Sequence, residues 1–495
     1  MRADALVDRL RGRRLIVASN REPVVHRRTP AGIETLTPAS GLTTAMLPLV
    51  AGTDGTWVAH GSGDADFLVT DAHDRVTVHP EGSVGGSFRL RRVRLPADVE
   101  RGYYYGYANE GLWPLCHVAY TAPVFRKADW EHYVRANRLF ADAILAEVSD
   151  APAVVLLNDF HLALVARMLR DARPDLLIAQ FWHVPWPSRE TMRVCPQLAE
   201  LLDGLLGNDL FGLHIRHHCN NFLETVDRGI EALVDHERLS AQRHGHRTYV
   251  RPFPISIEVD AFTEDASART FEATFPELAA RVGDRTMLLG VDRLDYTKGI
   301  PHRLRMLERM LELAPELCER VVLVQVGAPT RSVIPRYRAL AAEVDDLQAS
   351  INARFGTREW QPIEYLPDHH DRRDVAVLMR RADGCLVTPL HDGMNLVAKE
   401  YVAARAGLPG VLVLSKFAGS ARELPEACLI NPYDIDGSAE LLLASLRLEP
   451  ARLQDAMERM LAHLRSADVH RWASDLLSEL DAAARFRDAV EFPGN

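Results

Sequence analysis

Met287-Leu288-Leu289-Gly290-Val291 runs without a break into Asp292-Arg293-Leu294-Asp295-Tyr296-Thr297-Lys298-Gly299, and a helical pattern over 303–313 follows. A continuous apolar run reads as a strand buried on both faces, because one wet face would impose alternation. Comparable runs recur on both sides of it: 14–19, 56–59, 154–157, 177–182 and 210–213 before, and 321–326, 384–388 and 411–414 after. Helical patterns separate them, as at 133–148, 163–170 and 374–381. Strand, helix, strand, helix is the pattern of doubly wound parallel sheets, so the fold class is α/β. The run 88–95 alternates with Arg and reads as a half-exposed strand of an antiparallel insert. Around Pro252 and Pro254 the series breaks into an acidic, irregular stretch reaching Asp284. The expected organisation is therefore two domains of similar size, 1–255 and 256–469. A last helix over 470–489, in the closing segment 470–495, is expected to return to the first domain and complete it. Two such domains facing one another leave a deep cleft at the C-terminal ends of their strands, where α/β sheets bind ligands.

Composition narrows the class. The chain has 495 residues, 47% of them hydrophobic and 25% charged, which excludes a disordered, collagen-like or coiled-coil protein. A net charge of −10 leaves no chain-wide basic field for nucleic acid, so an anionic ligand must meet a local cluster of cations. Cys116, Cys195, Cys219, Cys318, Cys385 and Cys428 have no metal-type spacing and read as reduced thiols. The apolar run 15–18 is too short for a signal-peptide core, and no stretch approaches a membrane helix, so a cytoplasmic protein is expected. The cations comprise 54 arginines and only four lysines, Lys127, Lys298, Lys399 and Lys416, so a retained lysine is either chance or a site for a compact ammonium.

Neither a G-x-G-x-x-G after a strand nor a P-loop occurs. The segment 290–299 places two cations five residues apart in a loop after a strand, suited to clamping a diphosphate leaving group; the plain alternative is a solvated loop with an Arg–Asp pair. A second strand-to-helix turn reads His391-Asp392-Gly393-Met394-Asn395-Leu396-Val397-Ala398-Lys399-Glu400-Tyr401. A glycine there lets helix N-terminal N–H groups face an anion, while Asp392 and Glu400 can accept from sugar hydroxyls; the alternative is an ordinary capped turn. His217-His218 and His369-His370-Asp371 are adjacent pairs that seldom aim at one ion, so no metal site is expected. His244-Gly245-His246 reads as an exposed hairpin or loop. Trp182 and Trp186, flanking His183, fit either core packing or sugar stacking.

Together with Ser19-Asn20-Arg21, Tyr103-Tyr104 to Asn109, Leu112-Trp113-Pro114, Asn158-Asp159-Phe160-His161-Leu162, His183-Val184-Pro185-Trp186-Pro187, Arg331 and Ser415-Lys416-Phe417-Ala418-Gly419, these segments resemble, in order, the trehalose-6-phosphate synthase family of retaining glycosyltransferases. The resemblance implies the GT-B fold, two facing Rossmann-like domains, with the nucleotide-sugar on the C-terminal domain and the acceptor on the N-terminal one. Arg293 and Lys298 would bind the diphosphate, assisted by Gly41, Gly393, Met394, Asn395, Leu396 and Val397. Glu400 would hold the ribose and Asp392 the transferred glucose. His183 would contact that glucose at the reacting centre, and Asp159, Arg21, Tyr104, Trp113 and Arg331 would surround the phosphorylated acceptor. His183, Asp159, Arg293, Lys298 and Asp392 are the implied catalytic set. No cofactor or metal is implied, and relatives commonly form dimers or tetramers.

The implied reaction moves glucose from UDP- or GDP-glucose to glucose 6-phosphate. Departures from the family pattern fall in the acceptor half: Pro38-Ala39-Ser40-Gly41-Leu42 replaces a Gly-Gly-Leu loop, His60-Gly61-Ser62-Gly63 a Trp-Ser-Gly, and Asn158 and Phe160 the residues usual at those positions. Asn20-Arg21-Glu22-Pro23 also resembles glucosylglycerol-phosphate synthases, so glycerol 3-phosphate or another phosphorylated polyol is the alternative acceptor. A sugar-phosphate-binding paralogue without turnover and a phosphorylase are the rival classes.

Overall fold

A computed structural model describes residues 10, 12–37, 41–79, 86–148 and 150–491. The chain divides into two compact units, 1–255 with 469–495, and 256–468.

The second unit carries a six-stranded, wholly parallel sheet in the order Ile363–Leu366, Val321–Ala328, Thr286–Arg293, Gly384–Val387, Val411–Ser415, Cys428–Ile430. Numbered along the chain within this unit, that order is 3-2-1-4-5-6. The switch point therefore falls between Thr286–Arg293 and Gly384–Val387, whose following loops leave in opposite directions and open a crevice. Successive strand residues feed two separate cores. Met287, Leu289, Val322, Val324, Leu412 and Leu414 pack on one face beneath helices Val259–Ser267, Arg372–Arg381, Leu396–Ala404 and Pro450–Ser466. Leu288, Leu323, Val411 and Val413 pack on the other beneath Ile300–Leu313, Pro335–Phe355 and Ile435–Leu446. Both faces are dry, which is why the strands read as unbroken apolar runs.

The first unit carries a ten-stranded sheet in the order Leu233–Asp235, Ser240–Arg243, His246–Pro252, Leu210–Leu213, Leu177–Phe181, Ala153–Asn158, Arg14–Ser19, Thr56–His60, Phe88–Val93, Arg75–Val78. The seven strands from His246–Pro252 to Phe88–Val93 are parallel, and the outer ones are antiparallel. Here the switch point lies between Arg14–Ser19 and Ala153–Asn158. The turn Arg243–His246 closes an antiparallel pair, with His244 and Gly245 at φ 51° and 77°, so the His-Gly-His segment is a hairpin turn. Helix Val469–Glu491 belongs to this unit: Trp472 meets Phe181 edge-on at 5.2 Å, and Arg487 reaches Asp209 at 3.3 Å.

Two expectations are corrected. Phe88–Val93 is no insert: it lies in the main sheet, parallel to Thr56–His60, and its Arg92 is fully buried between Glu22 and Asp66. The stretch after Pro254 is not irregular but holds helices Val259–Ser267, Phe271–Thr274 and Pro276–Val282, whose Val259, Phe262, Phe271 and Leu278 fill the second unit's core.

Candidate active site

In the second unit the candidate residues stand at the switch point. Arg293 ends its strand half-buried. Next comes Asp295, fully buried, whose Oδ1 accepts from the Thr297 N–H at 3.1 Å and hydroxyl at 3.0 Å, tightening Tyr296–Lys298 into a single turn. The other oxygen accepts from Arg331 Nη1 at 2.9 Å and the Tyr337 hydroxyl at 3.4 Å. Burial pushes this carboxyl up, but the charges of Arg331, Arg293 and Lys298 outweigh it and hold the group below its ordinary value. One carboxylate thus bonds Arg331 and feels the charges of Arg293 and Lys298. Gly299 follows at φ 65°, and a Cβ on it would strike the Thr388 carbonyl, so the turn requires glycine. The closely seated loop, with Leu390 N–H on the Thr297 carbonyl at 2.8 Å, carries Lys298 Nζ to 2.5 Å from Asp392 Oδ2.

Asp392 also accepts from Asn395 Nδ2 at 3.1 Å. Asn395, at φ 66°, breaks the chain direction immediately before helix Leu396–Ala404 and leaves that helix's first N–H groups outside its own hydrogen-bond ladder. This terminus follows the fourth strand, so cations and amide dipoles both belong to the switch point, an arrangement for anions. The motif at 415–419 supports it from behind: a Cβ on Gly419 would collide with the Gly393 carbonyl, and the Ser420 N–H donates to the Met394 carbonyl at 3.1 Å. On the same helix, burial pushes the Glu400 carboxyl up to about 7, with Arg372 a smaller opposing influence. Lys399 points elsewhere, fully buried and 2.7 Å from Glu423, which ties the helix to the chain beyond Gly419. Its ammonium is a structural anchor.

In the first unit, Asp159 follows the strand next to the switch point at φ 73°, ψ 172°, a region that glycine alone visits freely. Its N–H donates to the Phe181 carbonyl at 2.7 Å, its carbonyl accepts from Gln180 Nε2 at 3.1 Å, and its Oδ1 takes the His183 N–H at 3.2 Å. Among the described residues ten non-glycines have positive φ, and Asp159, Arg331 and Asn395 are three of them. Strain of about 1–3 kcal/mol at each persists because neighbouring bonds over-determine it, and such strain clusters at functional sites. His183 is half-buried, and burial lowers its imidazole to about 3, so the ring is neutral. The wide π-type helix Arg101–Leu112, held by Asn109 Nδ2 on the Tyr104 carbonyl at 2.7 Å, presents Tyr104, which stacks on His161 at 5.6 Å. Trp113, at its end, packs on Phe160 at 5.9 Å. Tyr104, Trp113, Asp159 and His183 are therefore one connected set. Trp182 and Trp186 are fully buried core.

Arg21 is exposed after the neighbouring strand, on a loop that a buried network fixes. Arg92 Nε donates to Glu22 at 3.0 Å, its Nη2 lies 3.0 Å from Asp66 Oδ1, and the other Glu22 oxygen accepts the Ser62 N–H and hydroxyl at 2.9 and 3.0 Å. Burial, reinforced by Asp66, pushes Glu22 up to about 7 against the pull of Ser62 and Arg92. Gly41 opens helix Gly41–Gly52, while Pro38, Ala39 and Ser40 lie outside the described residues. Sequence reasoning assigned no role to Asp295, Glu22 or Arg92; the one available signal for Asp295 was an acid set between two cations. Among the described residues no group of three or more His, Cys, Asp or Glu is arranged to hold a metal, and no helix is long and apolar enough to cross a membrane.

The second unit's switch point bears cations and a helix terminus and the first unit's a polar and aromatic set, and the chain matches solved structures of glycosyltransferases with the GT-B fold. The sequence profile of Glycosyltransferase family 20 matches residues 13–482, and the chain belongs to that family. It is 37% identical over 478 residues to a trehalose-6-phosphate synthase of Mycolicibacterium vanbaalenii, covering 95% of this chain and 96% of that one. An Escherichia coli structure described as trehalose-6-phosphate bound with UDP-2-fluoro glucose matches at TM-score 0.84, with 30% identity over 94% of this chain and 99% of that one. A UDP-forming α,α-trehalose-phosphate synthase of Burkholderia xenovorans in complex with glucose-6-phosphate matches at TM-score 0.83, with 31% identity over 94% and 99%.

Proposed function

We propose that this enzyme transfers glucose, with retention, from a nucleotide-glucose (UDP- or GDP-glucose) to glucose 6-phosphate, forming trehalose 6-phosphate. The observation that carries the reading is the convergence of Arg293, Lys298 and the N-terminus of helix Leu396–Ala404 after the first and fourth strands of the second sheet. A departing nucleoside diphosphate gains charge as its bond to the sugar breaks, and fixed cations and amide dipoles stabilise that charge without reorganising. Gly41 and the backbone of Gly393, Met394, Asn395, Leu396 and Val397 assist with the donor. Asp392, oriented by Lys298 and Asn395, accepts from glucose hydroxyls, and Glu400 from the ribose.

On the acceptor side, Asp159 receives a hydroxyl, while Arg21 and Arg331 supply planar, paired donors to the phosphate. Tyr104 and Trp113 line the sugar, and His183 contacts the transferred glucose as a neutral ring. Support comes also from the relatives: the Burkholderia xenovorans structure contains glucose-6-phosphate and the Escherichia coli one a UDP-glucose analogue.

The test offers glucose 6-phosphate and glycerol 3-phosphate with UDP-, GDP- and ADP-glucose and follows nucleoside diphosphate release. Release with glucose 6-phosphate, and trehalose 6-phosphate as product, is expected. Turnover confined to glycerol 3-phosphate rejects the acceptor assignment.

A further inference from the structure

Asn158 is the last residue of the Ala153–Asn158 strand, adjacent to strained Asp159, and is 1% exposed. Its Nδ2 donates two long hydrogen bonds, to the Ala18 carbonyl at 3.3 Å and the Leu156 carbonyl at 3.4 Å. Turning the amide over would set its oxygen against both carbonyl oxygens, so the orientation is determined. Oδ1 then lies 3.2 Å from His183 Nε2. An amide oxygen only accepts, hence Nε2 carries the proton. A ring kept neutral by burial has one N–H, and the remaining nitrogen is a lone pair.

We propose that Asn158 is a positioning residue that locks His183 as the Nε2–H tautomer and leaves Nδ1 as an acceptor for a hydroxyl of the transferred sugar. The inference rests on the reading of His183 as a ligand of that sugar. Other groups facing His183 act on its backbone or its surroundings. Asp159 Oδ1 takes its N–H at 3.2 Å, His214 Nε2 lies 2.9 Å from its carbonyl, Phe181 meets the ring edge-on at 4.6 Å, and His161 opposes its protonation. Among the described residues, Asn158 is the hydrogen-bond partner of the ring itself. The chemical advantage is charge. A neutral acceptor orients a hydroxyl without adding positive charge beside a sugar that develops it as the diphosphate leaves.

Long-range nitrogen–proton correlation spectra of the full chain, labelled at histidine nitrogen, read the tautomer directly, with the His183 signals assigned by their loss in His183→Gln. A protonated-type Nε2 and an unprotonated-type Nδ1, constant from about pH 5.5 to 8.5, are expected. Asn158→Leu should mix the tautomers and free the ring to turn, lowering kcat several-fold, of which tautomer mixing alone accounts for about twofold. Both KM values should stay within about threefold, and Asn158→Gln should restore part of the rate. Should the leucine variant not fold, Asn158→Asp decides: its carboxylate invites a second proton onto His183 and adds an acid-limb ionisation to the kcat profile that the parent lacks.

A protonated Nδ1 in the parent, or a folded Asn158→Leu with unchanged tautomer and kcat within about twofold, overturns the proposal. Unchanged transfer by His183→Gln overturns the reading of His183 as a sugar ligand, and with it the catalytic half. The tautomer of the parent is still read from its own spectrum in that case.

Discussion

Replacing Glu400 with Gln separates what binding requires from what folding prefers. Burial holds this carboxyl at about 7, against an ordinary glutamate value of 4.5. A group that binds its proton more tightly folded than unfolded costs nothing below the unfolded value. The penalty grows as pH rises from 4.5 and is complete above about 7. At about 1.4 kcal/mol per tenfold in proton affinity, ionised Glu400 costs the free enzyme at most about 3 kcal/mol at pH 8 and under about 1 kcal/mol near pH 5. The amide keeps the shape and removes the charge, so Glu400→Gln should melt higher at pH 8. A domain of the second unit's size gains about 2–4 °C per kcal/mol, which makes the rise at most roughly 6–12 °C. The gain should nearly vanish at pH 5. On the proposed reading the same substitution also removes a charged acceptor for the ribose and should weaken donor binding by roughly ten- to a hundredfold. Differential scanning calorimetry at the two pH values and titration calorimetry with the donor nucleotide measure both effects. A variant that melts no higher than the parent at pH 8 refutes the reasoning.

Arg293→Ala removes one fixed cation from the proposed diphosphate site and should lower kcat by roughly a hundred- to a thousandfold, with circular dichroism unchanged; turnover within a few-fold of the parent speaks against the clamp. Arg92→Met strips the buried Glu22 and Asp66 of their cation and should destabilise the first unit by about 3–5 kcal/mol in urea. Because Glu22 takes a proton near 7, that loss should be smaller at pH 5.5 than at pH 8. Gly419→Ala drives a methyl group into the Gly393 carbonyl and should raise the donor KM more than the acceptor KM; equal effects on the two would show that the 415–419 turn does not shape the donor side.

The central strands were legible because each is dry on both faces, and the turn chemistry after 291 and 388 was legible because cations, glycines and acids crowd there; wetter outer strands such as Val25–Thr29, Gly32–Leu36 and Leu233–Asp235 went unread. Pairings between distant residues were not. Arg92 sits in an alternating run that reads as half-wet, and its burial is made tolerable by Glu22 and Asp66, 70 and 26 positions earlier, with the Val24 carbonyl and His26 beside them. Asp295 lies in plain view in the opening segment, yet its role depends on Arg331, 36 residues further on. The helices after Pro254 were hidden for another reason. Their acidic outer faces obscure an apolar side that matters only once it meets the second sheet. Asn158 read as a departure from the family pattern, and its meaning lay in the imidazole that the next strand brings to it.

A crystal structure of the enzyme with a nucleoside diphosphate or an unreactive nucleotide-glucose bears most directly on the account. Both phosphates should lie within hydrogen-bond reach of Arg293 and Lys298, and the sugar hydroxyls on Asp392. Phosphates seated elsewhere on the chain, with those two side chains still engaged only with their protein partners, would contradict it.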